Sequence, residues 1–154
     1  SFVSNSYWSY DVEDNVYALM RSDTGVVSLL NSSATQWRHR FHLDMNLEGG
    51  SLILGGLVTG TKSYGAETLT VVEADPDSDY GDPREQITRY NRDPSWDREI
   101  DVFAECIAND LPIEEGSPLD ALRTMQLVYR IYFADPTWRE RYDIPDPDWG
   151  RENR

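Results

Sequence analysis

The apolar residues of this chain change period once, and that change sets the order of its elements. Through the first two-thirds they alternate. Phe41, Leu43, Met45 and Leu47 interleave with His42, Asp44, Asn46 and Glu48, a period of two that gives a strand one apolar and one polar face. Gly49–Gly50 follows, then Ser51–Leu52–Ile53–Leu54, which predicts a tight hairpin with positive φ. Upstream, residues 12–20 place Val12, Asp14, Val16, Ala18 and Met20 on one side and Tyr17 and Leu19 on the other. A turn over Ser22-Asp23-Thr24-Gly25 returns the chain as a strand over 26–30. Residues 68–72 and 85–90 read as two more strands, and the first residues are strand-like as well. Short connections make the pairing mostly antiparallel.

After residue 92 the period becomes helical. Asp93-Pro94 reads as a helix start, with Asp as N-cap, and Trp96, Ile100, Phe103, Ala104, Ile107 and Leu111 form its stripe. Ser117-Pro118-Leu119-Asp120 is a capping box ahead of a second stripe, Leu122, Met125, Val128, Tyr129 and Tyr132. Asp135-Pro136 ends that helix and starts a short third one through Trp138 and Tyr142. Strands first and helices last predict an α+β fold: an open, mostly antiparallel sheet of about six strands with two or three helices on one face. Residues 1–143 are read as one domain and 144–154 as a tail. Residues 73–84 form an acidic, turn-rich loop.

Charge excludes some partners. Fourteen Lys and Arg stand against 28 Asp and Glu, a formal net charge of −14, and Lys62 is the only lysine. Such a field repels phosphate backbones and anionic lipid, so neither nucleic acid nor a membrane surface is an expected partner. An apolar content of 39%, with 12% aromatic, is ample for a core and argues against disorder. The single cysteine, Cys106, allows no intrachain disulfide and points to a reducing, cytoplasmic setting. Apolar runs such as 52–54 are far too short to cross a bilayer. A start at Ser1 without Met reads as a processed or cut product.

Few residues suggest chemistry. His39 and His42, three apart on an expected strand, face opposite ways and cannot share a metal; no metal ligand is assigned. Cys106 falls within a helical stripe and reads as a small buried side chain. Residues 55–63 resemble a phosphate loop, but Thr61 separates Gly60 from Lys62 and a strand follows in place of a helix. Asp11, Glu13 and Asp14 crowd one segment, read either as a solvated turn before a strand or as hydrolase carboxylates. The densest segment is Thr35-Gln36-Trp37-Arg38-His39-Arg40. It suits a sugar ring on Trp37 and an anionic group on Arg38 or Arg40, or else a basic turn salt-bridged to the acidic surface.

The motif order resembles a known family. Asp11-Val12-Glu13-Asp14-Asn15 precedes a strand; a turn ends in Gly25; Ser32 to Trp37 closes the next strand. Then come Phe41-x-Leu43-x-Met45-x-Leu47-Glu48-Gly49-Gly50-Ser51-Leu52, Glu99 to Ile107, Pro112, and Gly116-x-x-x-Asp120-Ala121-Leu122. Over about residues 2–135 this is similar to the C-terminal domain of the glucose–fructose oxidoreductase, inositol dehydrogenase and rhizopine-catabolism (Gfo/Idh/MocA) family. The resemblance implies a parent protein with an N-terminal Rossmann domain for NAD or NADP. It also implies an open sheet face that covers a sugar, cyclitol or sugar-derivative substrate and packs into homo-oligomers. The family's catalytic Lys and His motifs and the glycine fingerprint do not occur in this sequence. No catalytic residue and no cofactor-binding residue is therefore carried over, and the chain alone is expected to be inactive. Gln36, Trp37, Arg38 and His39, with Lys62 and Tyr64 from the glycine-rich loop, are the substrate-binding candidates. The alternative is a non-catalytic dimerisation or scaffold module using the same face.

Overall fold

Seven strands and three helices follow one another among the described residues: β1 (Phe2–Ser4), β2 (Asn15–Arg21), β3 (Val27–Ser33), β4 (His42–Leu47), β5 (Gly50–Gly55), β6 (Glu67–Glu73), β7 (Glu85–Tyr90), α1 (Ser95–Asn109), α2 (Pro118–Phe133) and α3 (Pro136–Tyr142). The computed structural model describes residues 1–8, 10–75, 77, 81, 83–114 and 116–147. The α+β class and the antiparallel pairing agree with the sequence pattern. The single sheet of about six strands does not: the strands divide into a sheet of three, β1-β2-β3, and a sheet of four, β4-β5-β6-β7. The chain correspondingly forms two compact units, residues 1–36 with 112–154, and residues 37–111. Period-two patterning specifies strands and faces, but it does not say which strand edges meet.

In the first unit β2 is central. It pairs with β1 in the register Val3↔Val16 and with β3 in the register Leu19↔Leu29. Gly25, at φ +90°, turns the chain between β2 and β3, and the Ser22 and Val26 backbones close the loop. Val16 and Ala18 are buried and Met20 is half-buried, whereas Tyr17 and Leu19 are exposed, which is the division the alternation predicts. The helices α2 and α3 cover the inward side: Ile131 and Trp138 join Val3, Val16 and Ala18 in one core, with Tyr132, Tyr142 and Ile144 around it. Trp138 lies 4.3 Å from the Tyr142 ring and 6.1 Å from that of Tyr132. The predicted stripe of α2 is corrected here. Its buried residue is Ile131, while Leu122, Met125 and Tyr129 are exposed. Ile144, the first residue of the expected tail, packs against this core; residues 148–154 lie outside the described residues.

Caps form where the sequence places them. Ser117 Oγ accepts the Asp120 N–H and Asp120 Oδ2 accepts the Ser117 N–H, the reciprocal capping box. Asp135 caps α3 through Oδ1, which accepts the Trp138 N–H at 2.9 Å, while Oδ2 accepts the Val3 N–H at 2.8 Å. One buried carboxylate thus ties a helix start to a strand far away in sequence. At α1 the reading shifts by one residue: Asp93 does bond the Ser95 N–H, but Pro94 is the N-cap.

The second unit is an antiparallel meander. Its connection between β4 and β5 is the two-residue loop Glu48–Gly49, with Gly50 the first residue of β5. Gly50 carries the positive φ, +143°, and a Cβ there would stand 1.9 Å from the Val72 oxygen, so only glycine fits. The registers align Leu43, Leu54 and Leu69, and next to them Met45, Leu52 and Val71, giving one face two apolar rungs. These side chains are half-buried or exposed, and every residue counted as buried among those described belongs to the first unit. The predicted core stripe of α1 is also corrected. Trp96, Ile100, Phe103 and Ile107 are all exposed, α1 buries no residue, and Cys106 is half-buried. In the acidic segment 73–84, residues 76, 78–80 and 82 lie outside the described residues.

Replacing Asp135 with Ala removes the α3 cap and the acceptor of the Val3 N–H together. Chemical denaturation is expected to show a loss of roughly 1–3 kcal/mol with an unchanged slope. An unchanged midpoint would remove Asp135 from its place as the link between β1 and α3. Gly50→Ala is expected to be more damaging, because the clash is with backbone and cannot be relieved by a rotamer change.

Candidate functional site

Two loops at one end of the four-stranded sheet carry most of the candidate residues. The first runs from the end of β3 to β4 and includes Gln36, Trp37, Arg38, His39 and Arg40. The second, 56–66, joins β5 to β6 and includes Lys62 and Tyr64. The His42↔Gly55 register brings their inner ends together, and the Gly56 N–H donates to the Phe41 carbonyl at 2.9 Å. A Cβ on Gly56 would lie 2.0 Å from the Ala66 oxygen, so glycine is required where the second loop folds back. Within it the Lys62 N–H donates to the Thr59 carbonyl, and Lys62 itself adopts a left-handed φ of +55°. Hydroxyls of Thr59, Thr61 and Ser63 bond in series, and the Val58 N–H is held by Glu67 Oε2 at 2.9 Å.

Of the expected residues, the structure brings His39 and Tyr64 together, their ring centroids 5.1 Å apart and their planes tilted by 58°. Trp37 is fully exposed, and Arg38 and Arg40 on either side of His39 are exposed as well. Gln36 is exposed and is the last residue of the first unit. His39 lies in the loop and not on a strand, which corrects the opposite-face argument for the two histidines; His42 opens β4. Among the described residues no group of three or more His, Cys, Asp or Glu is placed to hold a metal ion.

The salt-bridged alternative for this segment finds no partner among the described carboxylates. The ion pair found among the described residues is Arg123 with Asp120, and no described carboxylate lies within 4.0 Å of the cationic groups of Arg38, Arg40 or Lys62. The sequence explains why. No Asp or Glu occurs in residues 24–43 or 49–66, so both loops come from acid-free stretches of a chain with net charge −14. Guanidinium forks, an ammonium, an imidazole and aromatic rings then stand at one sheet end with no described carboxylate in salt-bridge reach. That arrangement is able to bind a polyol ring by its faces and an anionic group by its cations.

The carboxylate segment before β2 has a different role. Asp14 is buried, which corrects the solvated-turn reading. Its Oδ2 accepts the backbone N–H groups of Ser6, Tyr7 and Trp8 at 2.9, 2.7 and 3.2 Å, and its Oδ1 accepts from Asn15 Nδ2 at 2.9 Å. Burial pushes this carboxyl up, but the bonds from Tyr7, Asn15, Trp8 and Ser6 outweigh it, and its pKa falls to about 2. A group so fully engaged and so acidic organises a loop; it does not abstract or deliver protons near neutrality. Glu13 accepts the Tyr132 hydroxyl at 2.6 Å, and burial together with that bond raises the Tyr132 phenol above its ordinary range. Beside these carboxylates Trp8, Tyr10, Val12 and Ala34 line a recess of about 310 Å³. The sequence reading missed it, although three aromatics in residues 7–10, just before an acidic run, are the visible signal.

The Asp14 carboxyl is more acidic folded than its ordinary value of 3.8. Its contribution to stability is therefore complete above about pH 4 and lost as pH falls through 3.8 towards 2. Asp14→Asn is expected to melt at a lower temperature than the parent chain at pH 6, and its melting temperature should fall less steeply from pH 4 to pH 2. Parallel curves would show that Asp14 does not hold the loop.

Comparison of the chain with protein-family models, with curated proteins and with solved structures finds no match.

Proposed function

We propose that this chain is the substrate-binding and oligomerisation portion of a NAD(P)-dependent oxidoreductase acting on a sugar, cyclitol or sugar derivative, with the nucleotide held by a separate Rossmann domain. The reading joins the resemblance to Gfo/Idh/MocA C-terminal domains with one observation. Arg38, Arg40 and Lys62, with Trp37, His39 and Tyr64 alongside them, stand on two tied loops with no described carboxylate to neutralise them. In this reading the loops orient a hydroxylated, electron-rich substrate, and catalytic groups outside this sequence take the hydroxyl proton while hydride passes to the nicotinamide. The chain's own part is orientation and exclusion of water.

The apolar rungs Leu43–Leu54–Leu69 and Met45–Leu52–Val71 support the oligomerisation half. An antiparallel sheet with a half-buried apolar face is covered in a stable assembly, here by a second copy or by the nucleotide domain. The same rungs favour the second reading, a non-catalytic dimerisation or scaffold module. The cationic loops separate the two, since a scaffold has no use for them. A reducing, cytoplasmic setting belongs to this proposal on the strength of the single cysteine; no described helix is long and apolar enough to cross a membrane.

Amide NMR titration with inositol, glucose and gluconate is expected to shift resonances in residues 36–41 and 56–66, most for gluconate. Shifts confined elsewhere, or none, would leave the scaffold reading. NADH is expected to give no saturable fluorescence change with this chain. Light scattering is expected to give a dimer or larger species, and Leu54→Lys should reduce self-association at least about tenfold. A monomer at high concentration would end the oligomerisation half.

A further inference from the structure

The recess beside Asp14 belongs to the first unit, and its aromatic and acidic lining differs in charge from the two cationic loops. Trp8 and Tyr10 present near-parallel rings, 15° apart in plane with centroids 6.3 Å apart, and Tyr7 packs edge-on against Trp8 at 4.9 Å. The three N–H bonds to the Asp14 carboxylate fix the backbone that carries Tyr7 and Trp8 before any ligand arrives. Trp8, Tyr10 and Val12 remain exposed, although the buried Asp14 carboxylate anchors the loop beneath them. Glu13 completes the lining, its carboxylate held by the Tyr132 hydroxyl. Residues 1–36 hold Asp11, Glu13, Asp14 and Asp23 against one basic side chain, Arg21.

Aromatic faces carry negative charge, a nearby carboxylate adds to it, and the chain as a whole has net charge −14. At about 310 Å³ the recess suits a small ligand. We propose that the Trp8–Tyr10–Glu13 recess is a binding site for a small organic cation of the alkylammonium class, held by cation–π contact with the two rings and by the Glu13 carboxylate. A bare metal ion is a poor occupant, because mostly apolar walls cannot replace its hydration shell. A weakly hydrated ammonium loses little on entry and gains the ring faces.

The test compares choline with its uncharged isostere 3,3-dimethyl-1-butanol, followed by amide and indole NMR on the full chain. Choline is expected to bind saturably, at least about tenfold tighter than the alcohol, with shifts centred on Trp8, Tyr10 and Glu13. Raising salt is expected to weaken choline and leave the alcohol unchanged. Trp8→Leu and Tyr10→Leu each remove an exposed ring, and each should abolish the preference for choline while the shifts of core residues such as Ile131 stay in place. Glu13→Gln should weaken choline severalfold. Equal affinity for choline and the alcohol would overturn the proposal, as would tighter binding of methyl glucoside than of choline, or choline shifts away from residues 7–14. Because gluconate is read at residues 36–41 and 56–66, failure at one site leaves the other test intact.

Discussion

The first unit depends on carboxylates that have left water. Asp14 and Asp135 are both buried in a chain that already carries an excess of negative charge. Neither has an Arg or Lys partner among the described residues. Their compensation is backbone N–H groups: three from the loop after β1 for Asp14, and those of Trp138 and Val3 for Asp135. A turn or a helix start has N–H groups with no acceptor of its own, and a desolvated carboxylate has lone pairs with no donor, so each satisfies the other. Removing either partner costs more than one hydrogen bond, because the other is left stranded. The backbone that carries Tyr7 and Trp8 is held by this exchange.

The two units show that regular secondary structure and burial are separate achievements. The four-stranded meander has good registers, a tight hairpin and a glycine whose place is fixed by a backbone contact, yet none of its described residues is buried. Its strands satisfy their hydrogen bonds laterally, so the sheet can be well formed while its apolar rungs still lack a covering layer. Sheets gain most of their stability from such a layer. The first unit has one, because Ile131 and Trp138 come back from the end of the chain to cover β2.

Local signals were legible in proportion to how local their physics is. The strand over 85–90, the alternation of β2, the capping box at Ser117 and the Asp135 cap all rest on interactions within a few residues, and all appear where the sequence puts them. The hairpin turn was displaced by one residue, because two adjacent glycines leave open which one meets the Val72 carbonyl. Partnership was not legible. The α1 stripe has the spacing of a core helix, but spacing states only that a face is apolar, and Trp96, Ile100 and Phe103 are exposed. The division of strands between two sheets depends on edge pairing, which leaves no periodic trace. Asp14 was hidden for a related reason: an acid in an acidic run looks solvated, and its donors, the backbone N–H groups of residues 6–8, carry no sequence signature. Of the candidate loop residues, His39 and Tyr64 meet across the two loops, a contact between residues far apart in sequence that no local pattern states.

Charge is segregated along the chain more sharply than its total suggests, and this bears on how two ligand classes would be told apart. Arg38, Arg40 and Lys62 fall in acid-free stretches at one end of the four-stranded sheet, while the aromatic recess lies in a segment whose one basic side chain is Arg21. An anion approaching the loops crosses a field that repels it at long range and attracts it only near Arg38, Arg40 and Lys62. A cation approaching the recess is attracted throughout. Salt shortens both fields to about 8–10 Å. Screening therefore removes the distant repulsion for the anion before it removes the close contacts, so moderate salt aids its encounter and high salt weakens its hold. For the cation, screening removes attraction at every distance, so affinity falls from the first addition. Opposite initial responses to salt follow from where the charges sit in the sequence, independently of which anion or cation binds.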